Sequence, residues 1–260
     1  MKSEDLTWHT ASEPIYRRIV WSSYADYHGR DIAVIDLHSH VLPGLDDGCR
    51  TLAEAVQFVR AAAGEGITTL ACTPHVTEES CPFPEMLAKA REQLLAACQE
   101  AKLPYVELLQ GAEVMIDPTL ADFLTRRRDL TYGGKGRYCL VELPLVDYPL
   151  YVERTLFELL VAGLQPILAH PERNARLQKE RHLLESIVNQ GVLVQINAGS
   201  VLGHYGSLVR QTALYFLESG CAHAIASDGH NLQNRPPGLK QAMNKIGWKK
   251  STPGIPDSFP

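Results

Sequence analysis

The chain has 260 residues and a mass of 28.8 kDa, enough for one large core and short for two. Its 45% hydrophobic and 21% charged residues are ordinary for a globular enzyme. A net charge of −5 and a pI near 6.1, with no basic stripe, exclude a general nucleic-acid binder, and no apolar run is long enough for membrane insertion.

Residues 1–30 form a polar and aromatic leader with early acidic residues and no apolar h-region, so they do not read as a signal peptide. Beyond them, short apolar, β-branched runs at 33–37, 68–73, 105–111, 138–142, 165–169, 193–196 and 222–226 read as strands. Helical spacing of apolar residues fills 52–63, 84–101, 118–127, 151–162, 179–190 and 207–219. Gly64, Gly163, Gly191 and Gly220 stand where helices are expected to stop. The alternation predicts a parallel α/β fold. Seven β/α repeats suggest a barrel related to the eight-stranded one but smaller, with an open doubly wound sheet as the alternative. The expected organisation is a peripheral leader at 1–30, one domain at 31–247 and a Pro-rich tail at 248–260.

The first strand runs into IDLHSHVLPGLDDG, where His38 and His40 are two residues apart. In extended chain such residues point the same way, so both imidazoles can reach one ion. Other candidate strands also run into a histidine or a carboxylate: 68–73 into His75, 105–111 into Glu113, 165–169 into His170, and 222–226 into Asp228 and His230. In α/β barrels the C-terminal ends of strands share one face, so one site accounts for all of them. Asp46 and Asp47 follow in a turn, where a hydrogen-bonding role competes with ligation. Asp47 is the expected ligand of the two. His223, inside an apolar run, reads as a satisfied core histidine.

Imidazole and carboxylate ligands without thiolate suit zinc, manganese or iron. The eight candidates exceed what one ion needs and point to two or three ions sharing a carboxylate, for which Glu113 is the natural choice. Such a cluster lowers the pKa of a bridging water to about 7 and binds phosphoryl oxygens, so phosphate ester hydrolysis is the best chemical fit. Arg173 in AHPERN and Arg235 in DGHNLQNRPP lie beside ligands, where a guanidinium can bind phosphate bidentately. A surface salt bridge is the competing role for both. None of the six cysteines is followed six residues later by arginine, which argues against a Cys-x5-Arg phosphatase loop. The scattered thiols read as buried and reduced, as in the cytoplasm.

These motifs resemble the polymerase and histidinol phosphatase (PHP) superfamily, and more closely its bacterial capsule and exopolysaccharide protein-tyrosine phosphatases. DLHSHVLPGLDDG, TPH, GAEV, AHPERN and IASDGHNLQNRPP carry the resemblance, in family order, over about residues 34–246. It implies a distorted seven-stranded β/α barrel and a trinuclear site, with manganese expected first and iron, cobalt or zinc as alternatives. His38, His40, Glu113 and Asp228 resemble the ligands of one ion, Glu113 with His170 those of a second, and Asp47, His75 and His230 those of a third. Arg173 and Arg235 match the arginines that hold the substrate phosphate, and with Asp228 they are the expected catalytic residues. The implied substrate is phosphotyrosine in the tyrosine cluster of a membrane-anchored autokinase that regulates polysaccharide export. Two alternatives stand beside this reading: a small-molecule phosphatase of histidinol-phosphatase type, and a catalytically silent metal-containing binding module. The sequence sets no oligomeric state.

Overall fold

A computed structural model describes residues 34–77 and 79–247. The leader at 1–30 and the tail at 248–260 therefore lie outside the described residues.

All paired strands are parallel, as the alternation of runs requires, and they form two sheets. The smaller has the order β1 (Val34–Ser39), β2 (Ile67–Cys72), β4 (Glu107–Gln110). The larger runs β3 (His75–Val76), β5 (Glu113–Met115), β6 (Tyr138–Glu142), β7 (Gln165–Ala169), β8 (Leu193–Asn197), β9 (Ala224–Ala226). Nine strands thus stand among the described residues where seven were expected. The reason is local: beyond two of the expected strands the chain makes an irregular step, Thr73–Pro74 after β2 and Gly111–Ala112 after β4, and then adds a short strand, β3 or β5. Each step moves the continuing chain from the small sheet to the large one. No continuous ladder closes the sheets into a barrel among the described residues, but their edges approach. A single parallel bridge joins Ser39 to Gly229, with His40 N–H donating to Gly229 O at 2.8 Å and Asp228 N–H to His38 O at 2.9 Å.

The strands are buried on both faces, and the period of two sorts their side chains into two cores. Leu37, Ala71, Leu140, Ile167, Ala169, Ala224 and Ala226 form an inner cluster that Tyr132 fills from a 3₁₀ turn, its hydroxyl donating to Leu37 O at 2.7 Å. The alternate residues, among them Leu70, Val141, Leu168, Val194 and Ile225, pack outward against the helices.

Those helices begin and end where local chemistry dictates. Thr51 caps α1 (Leu52–Gly64) by accepting from Glu54 N–H. The left-handed stop after α1 falls at Gly66 (φ +88°), not at Gly64, which is still helical. α2 (Pro84–Glu100) starts on a proline, and α3 (Leu120–Arg126) starts later than expected because Asp117 accepts from Thr119 N–H and opens the segment as a turn. α4 (Val152–Val161) follows expectation. The expected helix at 179–190 is α6 (His182–Asn189), and a short unforeseen helix, α5 (Ala175–Lys179), capped by Asn174, precedes it. α7 (Ala198–Leu202) springs directly from β8, α8 (Ser207–Glu218) follows, and α9 (Leu239–Lys245) ends the described chain. No helix of the described residues is long and apolar enough to cross a membrane.

Candidate metal centre

The carboxyl ends of the strands bring the expected residues into one cluster. His38 lies inside β1, one strand residue further than the apolar run suggests, and His40 follows its end. His75 opens β3, Glu113 opens β5, and His170, Asp228 and His230 leave β7 and β9. Two of these positions adopt the left-handed region, His170 (φ +31°) and Asp228 (φ +51°). Non-glycine residues are uncommon there and such conformations concentrate at functional sites.

Glu113 is the hub. Its Oε1 stands 2.8 Å from His170 Nε2, and its Oε2 stands 3.0 Å from His75 Nδ1, 3.2 Å from His38 Nε2 and 3.3 Å from His40 Nε2. Asp228 is divided between two surroundings. Oδ2 accepts from Asn197 Nδ2 at 2.5 Å, Arg173 Nη1 at 3.1 Å and Arg235 Nη2, while Oδ1 faces His38 and His40, each at 3.4 Å. Glu113 Oε2 and Asp228 Oδ1 are buried without a hydrogen-bond partner. Buried carboxylate oxygens that converge with imidazole nitrogens fit a divalent cation, which satisfies such atoms by coordination.

Three groups of donor atoms lie close enough to share an ion: His38, His40, Glu113 and Asp228; His40, Asp47, His75 and His230; and His75, Glu113 and Glu142. His170 reaches Glu142 Oε1 at 3.7 Å as well as Glu113. Asp47 is 65% exposed, with Oδ1 3.2 Å from His230 Nε2 and 3.6 Å from His75 Nε2. Asp46 lies inward instead: its Oδ2 meets His40 Nδ1 at 2.6 Å and accepts from His75 N–H at 3.0 Å, and its Oδ1 accepts from Gly48 N–H. A carboxylate on the far nitrogen of a histidine fixes the ring and leaves the other nitrogen free to coordinate.

The electrostatics follow from burial opposed by neighbours. Burial pushes Glu113 and Asp228 up, but the surrounding histidines outweigh it and hold both well below the usual carboxylate range. Burial likewise opposes charge on His38, His40 and His75, and the carboxylates beside them raise all three. Asp46, also opposed by burial, is lowered to about 2 by His40 and two backbone N–H groups. Glu142 is raised by burial and by Glu113. His230, buried beside His40 and Arg235, is lowered to about 3. Burial pushes the thiols of Cys49, Cys72 and Cys139 up to about 12, away from thiolate chemistry.

Arg173 and Arg235 border the cluster, and both pair with Asp228. Arg235 Nη1 also reaches His230 Nε2 at 2.8 Å, and the Arg173 guanidinium lies over the Tyr205 ring at 4.7 Å. Sequence reasoning missed Glu142, Gln195, Asn197 and Tyr205. Glu142 ends an apolar strand as a carboxylate, the sign that singled out Glu113 nearby, and Gln195 and Asn197 repeat the two-apart spacing of His38 and His40. Tyr205 carried no signal. His223 accepts from Val194 N–H at Nδ1, as a satisfied histidine should.

Fold and cluster together define an α/β protein with a histidine and carboxylate site, able to hold metal, at the carboxyl ends of parallel strands. The chain belongs to the CpsB/CapC family of capsular polysaccharide synthesis, whose model matches residues 34–254. It is 33% identical over 211 residues to the putative tyrosine-protein phosphatase CapC of Staphylococcus aureus, covering 81% of this chain and 82% of that protein. It is 32% identical to the tyrosine-protein phosphatase YwqE of Bacillus subtilis, with the same coverage of each chain. Among solved structures it superposes with a TM-score of 0.77 and 31% identity, over 82% of this chain and 86% of the other, on one from a study of YwqE of Bacillus subtilis and CpsB of Streptococcus pneumoniae, described as unique metal-dependent tyrosine phosphatases.

Proposed function

We propose that this chain is a metal-dependent protein-tyrosine phosphatase, a phosphoric monoester hydrolase of bacterial capsule or exopolysaccharide synthesis that works in the cytoplasm. The observation that carries the reading is the convergence of Glu113 Oε2 and Asp228 Oδ1, both buried without a hydrogen-bond partner, on His38 and His40. The names borne by CapC and YwqE supply the substrate class.

In this reading His38, His40, Glu113 and Asp228 would hold one ion, Glu113 and His170 a second, and Asp47, His75 and His230 a third, two or three divalent ions in all, manganese before iron, cobalt or zinc, with Glu113 common to the first two sets. The grouping of His75 and Glu113 with Glu142 adds a donor that the second ion could use. Bound ions supply a water nucleophile at neutral pH and positive charge for the phosphoryl oxygens. The chain's own groups do the positioning. Arg173 and Arg235, both held by Asp228, orient the phosphate at the edge of the cluster. Asp46 holds the His40 ring. Asp228 links the two functions, one oxygen turned to the imidazoles and the other to the arginines.

The scaffold we read as one distorted seven-stranded barrel of residues 31–247, flanked by a peripheral leader and tail. Joining β2 to β3 and β4 to β5 leaves seven strands, the inner apolar cluster has the composition of a barrel interior, and the Ser39–Gly229 bridge brings the outer strands together.

The substrate is phosphotyrosine, and the tyrosine cluster of a polysaccharide-export autokinase is the protein that would present it. A panel of phosphotyrosine peptide, histidinol phosphate and nucleotide, assayed with manganese-loaded protein, tests this. The peptide should be preferred in kcat/KM by orders of magnitude. A preference of that size for a small phosphoester would assign the site to a metabolic phosphatase, and no phosphate release with manganese, iron or cobalt would remove the enzymatic reading.

A further inference from the structure

β8 contributes none of the eight candidate ligands, yet two of its side chains lie between two of them. His38 Nδ1 is 3.0 Å from Gln195 Oε1, Gln195 Nε2 is 2.8 Å from Asn197 Oδ1, and Asn197 Nδ2 is 2.5 Å from Asp228 Oδ2. Gln195 and Asn197 are fully buried. Their spacing of two on one strand puts both amides on the same face. Buried Glu172 holds the strand at that point by accepting from Asn197 N–H at 3.0 Å.

The direction of this chain of bonds is set at one end. An ionised carboxylate only accepts, so Asn197 must present its NH₂ to Asp228. Its carbonyl oxygen is then left for Gln195, which must donate with Nε2. Gln195 therefore turns Oε1 to His38 and can only accept there. A proton on His38 Nδ1 completes the series, and Nε2 is the nitrogen left to face Glu113 and Asp228, where a bound cation would take its lone pair.

We propose that Gln195 and Asn197 are positioning residues that transmit the charge of Asp228 to the tautomer of His38, fixing it as the Nδ1–H form with Nε2 ready to coordinate. The proposal rests on the metal-site reading above for its consequence, but its central statement concerns a proton on one ring nitrogen and can be measured without any metal. Outer-shell partners of this kind are worth about 10–100-fold in metal affinity. The relay also explains why Asp228 can both orient the arginines and serve the cluster. Its Oδ2 is taken up by nitrogen donors, which leaves Oδ1 for the imidazole side.

Long-range ¹⁵N–¹H correlation spectra of the full chain, with His38→Gln as the assignment blank, read the tautomer at alkaline pH in metal-free protein and again after zinc loading. The unmodified protein should show a proton on His38 Nδ1 in both states, alone once zinc holds Nε2, and accompanied by one on Nε2 only where the metal-free carboxylates keep the ring charged. Asn197→Leu, which removes the amide without touching His38, should give mixed tautomers and raise the zinc dissociation constant about 10–100-fold. Gln195→Met should do the same. A neutral Nε2–H form of His38 with Nδ1 bare in the unmodified protein overturns the relay. So does Asn197→Leu with an unchanged tautomer and unchanged zinc affinity. Failure of the unmodified protein to bind zinc would strike the metal-site reading instead, and the metal-free spectra would still decide the relay.

Discussion

Glu113 Oε1 lies 2.8 Å from His170 Nε2 while its Oε2 lies 3.0 Å from His75 Nδ1, so one fully buried carboxylate spans two sides of the cluster. Glu113→Gln keeps the shape and removes the charge. Loss of an outer-shell partner costs about 10–100-fold, and loss of the shared carboxylate should exceed that in turnover. Metal content, read by elemental analysis, should fall by at least one ion per chain. A Glu113→Gln protein with full metal content and full turnover would show that the carboxylate is not shared.

Arg173 and Arg235 should reveal themselves by an asymmetric response. Lysine keeps the charge but cannot make a bidentate contact with phosphate. Arg173→Lys and Arg235→Lys should each lower kcat/KM for a phosphotyrosine peptide by about 10–100-fold, roughly one charge-assisted hydrogen bond of about 1.5–3 kcal/mol. Metal content should stay unchanged, which separates them from the ligands.

Packing of α1 against the last ligand loop sets a limit on Gly229. A Cβ there would come within 2.3 Å of Phe58 Cζ. Gly229→Ala should cost about 1–3 kcal/mol by overpacking, measured by urea unfolding. Phe58→Leu combined with Gly229→Ala should cost less than the sum of the two single changes, because Phe58→Leu relieves the clash that Gly229→Ala causes. Additive costs would show that the ring does not limit the loop.

His223 gives a pH dependence independent of the cluster. Burial lowers its pKa in the folded chain from the ordinary 6.5, and its Nδ1 accepts from Val194 N–H. The unfolded chain therefore binds a proton first as pH falls. The contribution is complete above about pH 6.5 and is lost as pH drops from there toward the folded pKa. His223→Asn, whose Oδ1 can accept the same bond, should flatten the loss of stability below pH 6.5 relative to the unmodified protein. Equal slopes would show that His223 is not held neutral.

The parts of this site legible in the sequence share a physical cause. His38, His75, Glu113, His170 and Asp228 stand out because a polar residue of metal-binding type ends an apolar run, and parallel strands carry such ends to one face. What was not legible depended on contacts between distant segments. Nothing local distinguishes Asp46 from Asp47; only the fold turns Asp46 toward His40 and leaves Asp47 exposed. Gln195 and Asn197 look like polar residues at a strand end until His38 and Asp228 are placed at either side of them. The strands β3 and β5 were not legible because each is only two or three residues long and opens on a candidate ligand, His75 or Glu113, so no apolar run marks it, and strand pairing rather than composition divides the sheets.

The central claim is that histidines and carboxylates at the strand ends hold divalent ions that turnover requires. One sample decides it: the purified chain, stripped by chelation and then titrated with manganese, with bound metal, thermal midpoint and phosphate release from a phosphotyrosine peptide followed together. The account predicts that release is abolished on stripping and returns with two or three ions per chain, and that free metal at a hundred times its dissociation constant stabilises the fold by about 2.7 kcal/mol for each ion bound. Phosphate release by the stripped chain, equal to that of the loaded one, would contradict it.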